Sequence, residues 1–184
     1  MADVIVINKI DTASPEGVQT VRENVQRVNP KAVVIDGASP INVDKPELIK
    51  GKRCLVVEDG PTLTHGHMRI GAGTVAARKF GAKELVDPRP YTVGKLKGTF
   101  ETYPNIGTLL PAMGYGEEQV RDLEATINKT DCDTVVIATP IDLNRIVKIR
   151  HPTVKVGYDL QEIGKPDLEE VLGDFVKRHG LGKR

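Results

Sequence analysis

Residues 3–18 read DVIVINKIDTASPEGV, an apolar β-branched run that passes through Asn8-Lys9-Ile10-Asp11 into Ser14-Pro15. Val and Ile in near-continuous succession suit a strand buried on both faces of a parallel sheet. Ser14 offers the oxygen an N-cap needs. Pro15 belongs at a first helical position, where its missing N–H costs nothing. Val18, Val21, Val25 and Val28 then recur at spacings of three and four, one face of a helix. Strand, loop and helix in that order point to an α/β fold.

Working outward, the runs KAVVIDGA (31–38), RCLVVED (53–59) and DTVVIAT (133–139) repeat the strand pattern. Helical patterns fall between or after them. One runs from Gly71 through Val75, Ala76 and Phe80 to Gly81. Another is GEEQVRDLEATINKT (116–130), and a last is PDLEEVLGDFVKRHG (166–180). VKVGYDL (154–160) reads as a late strand, at an edge. Strands alternating with helices predict a mostly parallel sheet with helices on both faces, a Rossmann-like three-layer arrangement in one domain over 1–184. Residues 84–115, with Pro88, Pro90, Pro104 and Pro111 and no clean period, read as an ordered excursion, a small lid or a surface insertion.

Bulk composition bounds the function. Hydrophobic residues make up 39% and charged residues 28% of 184, ordinary for a globular protein. A net charge of +1 with 4% aromatics and no Trp speaks against a nucleic-acid partner. No apolar run reaches membrane-spanning length and no signal-peptide pattern opens the chain, so a cytoplasmic location without membrane contact is expected. Cys54 and Cys132, each beside an apolar run, read as buried thiols.

Chemistry is concentrated at strand exits, where open α/β sheets bind ligands. In Asn-Lys-x-Asp, Asp11 supplies acceptors for a purine edge and Asn8 both donates and accepts, while the Lys9 stem can cover the ring. The bland reading is a plain turn in which Asp11 caps. A second copy, Asn128-Lys129-Thr130-Asp131, follows a helix and precedes a strand, the opposite context, and is coincidence. Ala38-Ser39 in VIDGASP resembles the second base-contacting loop of P-loop GTPases, or is an ordinary turn around Gly37 and Pro40.

The segment VVEDGPTLTHGHMRIGAGTVAARKFGA (56–82) holds further candidates. Gly71 and Gly73 at a helix start would let backbone N–H groups approach a phosphate, or would serve tight helix–sheet packing. Thr64 and Gly66 extend the same phosphate-binding reading. His65 is the candidate general acid or base, with Asp59 and Arg69 beside it as catalytic candidates. His65-x-His67 with Glu58 or Asp59 has donors for a divalent metal, although loop histidines more often only hydrogen-bond, and the metal stays unknown. Arg89, between prolines, is a candidate anion clamp or a surface ion pair. Thr139 and Asp142 leave the 133–139 strand at the same edge. The chain contains no GxxxxGK[ST].

VINKID, VVEDGPTLTHG, the GAG helix start, VDPRPY, YPNIGTLLPAMGYGEEQVRDLEATIN and ATPIDL together resemble the carboxyl-terminal part of cyclic 2,3-diphosphoglycerate synthetases. These are grouped with P-loop GTPases of the signal-recognition/MinD-like class. That resemblance implies the C-terminal half of a P-loop NTPase-like fold, ATP or GTP, Mg²⁺, and a small phosphorylated metabolite as substrate. Asn8, Lys9 and Asp11 match the base motif, and Thr64, His65, Gly66, Gly71 and Gly73 match the glycine-rich loop. It also implies a phosphate-loop domain or partner chain supplied from elsewhere, and an open sheet edge that favours homo-oligomers. The function expected is the nucleotide- and substrate-binding part of a phosphoryl-transfer enzyme. The alternative is a non-catalytic nucleotide- or phosphometabolite-binding module.

Overall fold

A computed structural model describes residues 1–64 and 68–180. The chain runs β1 (Val4–Ile7), α1 (Pro15–Val28), β2 (Val33–Ala38), β3 (Ile41–Val43), β4 (Arg53–Asp59), α2 (Gly60–Thr64), α3 (Ala72–Lys79) and β5 (Glu84–Leu85). It continues through α4 (Lys95–Thr102), β6 (Leu110–Ala112), α5 (Glu117–Lys129), β7 (Thr134–Ala138), β8 (Thr153–Tyr158), β9 (Gln161–Ile163) and α6 (Leu168–His179). The 84–115 excursion thus carries β5, α4 and β6, with a 3₁₀ turn at Arg89–Tyr91 between them. The contacts divide the chain into two compact units, Met1–Pro40 with Tyr158–Arg184, and Ile41–Gly157.

The first unit holds a three-stranded sheet in the order β1-β2-β9. β1 and β2 run parallel, with Val4 opposite Val33 and Ile7 opposite Asp36. β9 joins β2 antiparallel, Asp36 opposite Ile163. The fold is α/β, but the sheet is mixed where mostly parallel pairing is expected. The reason is β9: Gln161-Glu162-Ile163 is exposed throughout and carries none of the apolar signal by which the parallel strands are read. Ser14 caps α1 by accepting from Gly17 N–H, with Pro15 in the first turn. Asp167 caps α6 by accepting from Glu170 N–H, and Gly180 closes it in the left-handed conformation at φ 65°.

In the second unit the strand order is β3-β8-β7-β4-β5, with β6 also alongside β4. β4 runs parallel to β5, β6 and β7, and β7 runs parallel to β8. Alternate residues of β4 serve opposite faces. Leu55 and Val57 join Leu123 and Ile127 of α5, while Cys54 and Val56 join Ala76 and Ala77 of α3. Cys54 and Cys132 are free and buried, and burial pushes both thiols up to about 11. VKVGYDL is not an edge strand: β8 lies between β3 and β7. The discarded motif copy at 128–131 closes α5, where Asn128 accepts from Arg150 N–H and donates to the Lys148 carbonyl. Among the described residues no helix is long and apolar enough to cross a membrane.

Candidate functional site

Because β1 and β2 are parallel neighbours, their carboxyl ends open side by side, and the loops leaving them meet. Ser39 joins them: its N–H donates to Asp11 Oδ1 at 3.1 Å and its hydroxyl to Asn8 Oδ1 at 2.8 Å. The Lys9 N–H also donates to Asn8 Oδ1 at 2.7 Å, and Ile10 N–H reaches the Gly37 carbonyl at 3.1 Å. Lys9 itself sits at φ 61°, the left-handed region that costs a side-chain-bearing residue about 1–2 kcal/mol. Its carbonyl accepts from both Thr12 and Ala13 N–H, which holds the turn in that shape. Such over-determined strain clusters at binding sites.

Asn8, Lys9 and Asp11 are all exposed. Asp11 Oδ2 and Asn8 Nδ2 make no hydrogen bond among the described residues, so an acceptor and a donor remain beside the exposed Lys9. Asn8, Lys9, Asp11, Ala38 and Ser39 are therefore brought together at one sheet edge. The sequence does not disclose the Ser39 bridge, because its partners lie 28 and 31 residues away.

In the second unit the buried Glu58 lies near the carboxyl end of β4. From β4 the chain goes to β5 on one side and later to β7 on the other, so the carboxyl ends of β4 and β7 flank a topological switch point. Glu58 stands opposite Ala138, next to Thr139. Glu58 is only 3% exposed, and its carboxylate accepts from Thr74 N–H at 2.7 Å and Thr74 Oγ1 at 2.8 Å. Burial raises its pKa, against the bonds from Thr74 and Gly71 that pull it down.

The start of α3 is thus occupied by the chain's own Glu58 side chain. A Cβ on Gly71 would lie 1.9 Å from Glu58 Oε2, and one on Gly73 2.7 Å from Val56 Cγ1. Both glycines serve close approach of helix to strand, with Glu58 standing where a phosphate is expected from sequence.

The other candidates are dispersed. Asp59 accepts from Thr62 N–H at 3.3 Å and Thr62 Oγ1 at 2.8 Å, capping α2. Thr64 is buried and its hydroxyl donates to the Gly60 carbonyl. Arg69 is exposed, with its carbonyl accepting from Gly107 N–H. Arg89 pairs with Asp87 at 3.0 Å, donates to the Ile106 carbonyl at 2.5 Å and lies 4.7 Å over the Phe100 ring, an arrangement that braces the excursion. Thr139 donates to the Ile141 carbonyl, and Asp142 caps the 3₁₀ turn Leu143–Arg145. His65, Gly66 and His67 lie outside the described residues. Among the described residues no group of three or more His, Cys, Asp or Glu could hold a metal.

Fold and geometry together define an α/β chain whose loops after β1 and β2 are tied together by Ser39. No family model matches it. The chain is 60% identical, over 176 residues, to arginine synthetase ArcE of Thermococcus kodakarensis. The match covers 96% of this chain and 39% of that protein. This corrects the resemblance to cyclic 2,3-diphosphoglycerate synthetases, and with it the expectation of an enzyme closing that substrate. That resemblance, too, extends over essentially the whole chain; what overturns it is that the 60% identical relative is a differently named protein. The non-catalytic module gains no support either, because the relative is named as a synthetase.

Proposed function

We propose that this chain is a segment of an arginine-forming enzyme, and that its β1/β2 loop pair holds the base of a nucleotide that drives the reaction. The observation that carries the reading is the 60% identity over 176 residues to a protein named arginine synthetase. The chemistry agrees with it. Building the guanidinium of arginine onto an unactivated carbonyl carbon must expel a poor leaving group, so the step needs an activating co-reactant. ATP or GTP is such a co-reactant.

In the base-holding role, Asp11 Oδ2 accepts from the purine edge, Asn8 Nδ2 donates to it and the Lys9 stem lies over the ring. Ser39 holds the two loops in register, with Ala38 beside it at the end of β2. Mg²⁺ would travel with the nucleotide phosphates. The groups that contact those phosphates we assign to the part of the enzyme outside this chain, since the match spans 39% of the relative. The β4/β7 edge, with Asp59 and Thr139, is our assignment for the substrate side. We place the protein in the cytoplasm.

The test is arginine formation, followed by mass spectrometry, in the longer protein that carries this chain. Amino-acid precursors of arginine are supplied with ATP or with GTP. Nucleotide-dependent arginine is the expected product, and its absence with either nucleotide overturns the proposal.

A further inference from the structure

A cavity of about 110 Å³ lies between α4 and α5, against the chain that leaves β6. Leu96, Met113 and Leu123 form its apolar walls, and Lys95, Thr99, Gln119 and Asp122 add polar groups. Pockets for drug-sized ligands enclose roughly 300–1,000 Å³. This one admits a group of side-chain size and excludes a nucleotide. Its place in the fold points to a ligand. β6 runs parallel to β4 with Ala112 opposite Asp59, so Met113 leaves the carboxyl end of the sheet, where α/β folds bind ligands. A Cβ on Gly60 would lie 2.8 Å from Met113 Sδ, so the apolar wall extends to the exit of β4.

Asp122 is half-buried and is the carboxylate of the lining. Its Oδ2 accepts from Lys95 N–H at 3.0 Å, while Oδ1 makes no hydrogen bond among the described residues. Gly94, at φ 57°, gives it room, since a Cβ there would lie 2.2 Å from Asp122 Oδ2. A carboxylate with a free oxygen beside apolar walls suits an ammonium group on an aliphatic stem, because charge-assisted hydrogen bonds are the strong ones. At the rim Lys95 Nζ pairs with Glu118 at 2.7 Å, with the two side chains 69% and 60% exposed. Exposed pairs of this kind contribute about 0–1 kcal/mol, so Lys95 can exchange its partner for an incoming carboxylate at little cost.

We propose that this cavity anchors the α-amino acid on which arginine is built. Asp122 accepts from the α-ammonium group, and Lys95 takes the α-carboxylate. Leu96 and Leu123 flank the first methylenes. The side chain leads past Met113 to the exit of β4, where Asp59 stands on the substrate side, so its reacting end stays outside the cavity. The inference rests on the reading of the chain as a segment of an arginine-forming enzyme, and it adds the group that holds the amino acid's fixed end.

Calorimetry tests it in the longer protein that carries this chain, with L-arginine and with des-amino-arginine, which lacks the α-ammonium group, as probes. Asp122→Asn keeps an acceptor for Lys95 N–H, so α4 stays in place. It should weaken arginine at least tenfold and leave the weaker binding of des-amino-arginine unchanged. Thr99→Leu, which fills the cavity and leaves the carboxylate intact, should also weaken arginine at least tenfold. No binding of arginine to the wild type overturns the inference, as does equal affinity in Asp122→Asn. So does an equal loss for both probes, which would make Asp122 a structural residue. Arginine formation with binding indifferent to Asp122 faults this inference alone. Arginine held through Asp122 without nucleotide-dependent arginine formation faults the functional reading alone.

Discussion

Gly71→Ala puts the packing at the β4 end to a quantitative test. The added methyl would lie 1.9 Å from Glu58 Oε2 and 3.0 Å from its Cδ, so the carboxylate has to leave its place. Glu58 is 3% exposed and has no solvent to move into. Displacement breaks the bonds from Thr74 N–H and Thr74 Oγ1. Each of these hydrogen bonds contributes about 0.5–1.5 kcal/mol, and a buried polar group left without its partners costs about 1–3 kcal/mol more. With part of this regained by a rotated carboxylate, the loss is about 2–4 kcal/mol. For a unit on the order of 100 residues that lowers Tm by roughly 8–20 °C. Thermal unfolding followed by circular dichroism reads the shift directly. A double-mutant cycle then identifies its cause: in a Glu58→Ala background the same Gly71→Ala change should cost under about 1 kcal/mol. A neutral Gly71→Ala, or a full penalty that survives removal of Glu58, would refute the reasoning.

Glu58→Gln separates charge from shape. Burial holds the folded pKa above the reference 4.5, so the native state binds the extra proton. The stability this gives is complete below about pH 4.5 and is lost as pH rises through the folded pKa. The wild type's stability relative to the Gln variant should therefore fall with rising pH and then level off in denaturant titrations; a flat or rising difference contradicts the buried-carboxylate account. Lys9→Gly should leave stability unchanged or raise it by up to about 1 kcal/mol, because glycine adopts φ 61° freely at some entropic cost. The same variant should weaken nucleotide binding. A clear loss of stability would mean that Lys9 is a packing residue.

The sequence discloses elements whose signal is local. The Val/Ile runs of β1, β2, β4 and β7, the capped helix α1 and the apolar spacing of α6 are read from local pattern alone. Short elements are hidden. β6 consists of Leu110-Pro111-Ala112, and its proline argues against a strand until β4 is seen beside it. VKVGYDL looks like an edge strand because Lys155 alternates with Val154 and Val156, yet β3 covers its outer side. In the site, the Asn-Lys-x-Asp loop is legible from its strand and helix context. Its tie to Ser39 is tertiary, as is the filling of the α3 start by Glu58. Glycines at a helix start read equally as a phosphate cradle or a packing contact, and only the position of Glu58 distinguishes the two.

One measurement reaches the central claim most directly: the nucleotide KM for arginine formation by the longer protein, with Asp11 intact and as Asp11→Ala. Loss of the carboxylate should raise KM for ATP or for GTP tenfold or more, about 1.4 kcal/mol of binding. KM for the amino-acid precursor should stay unchanged. An unaltered nucleotide KM would show that the β1/β2 loops do not hold the base.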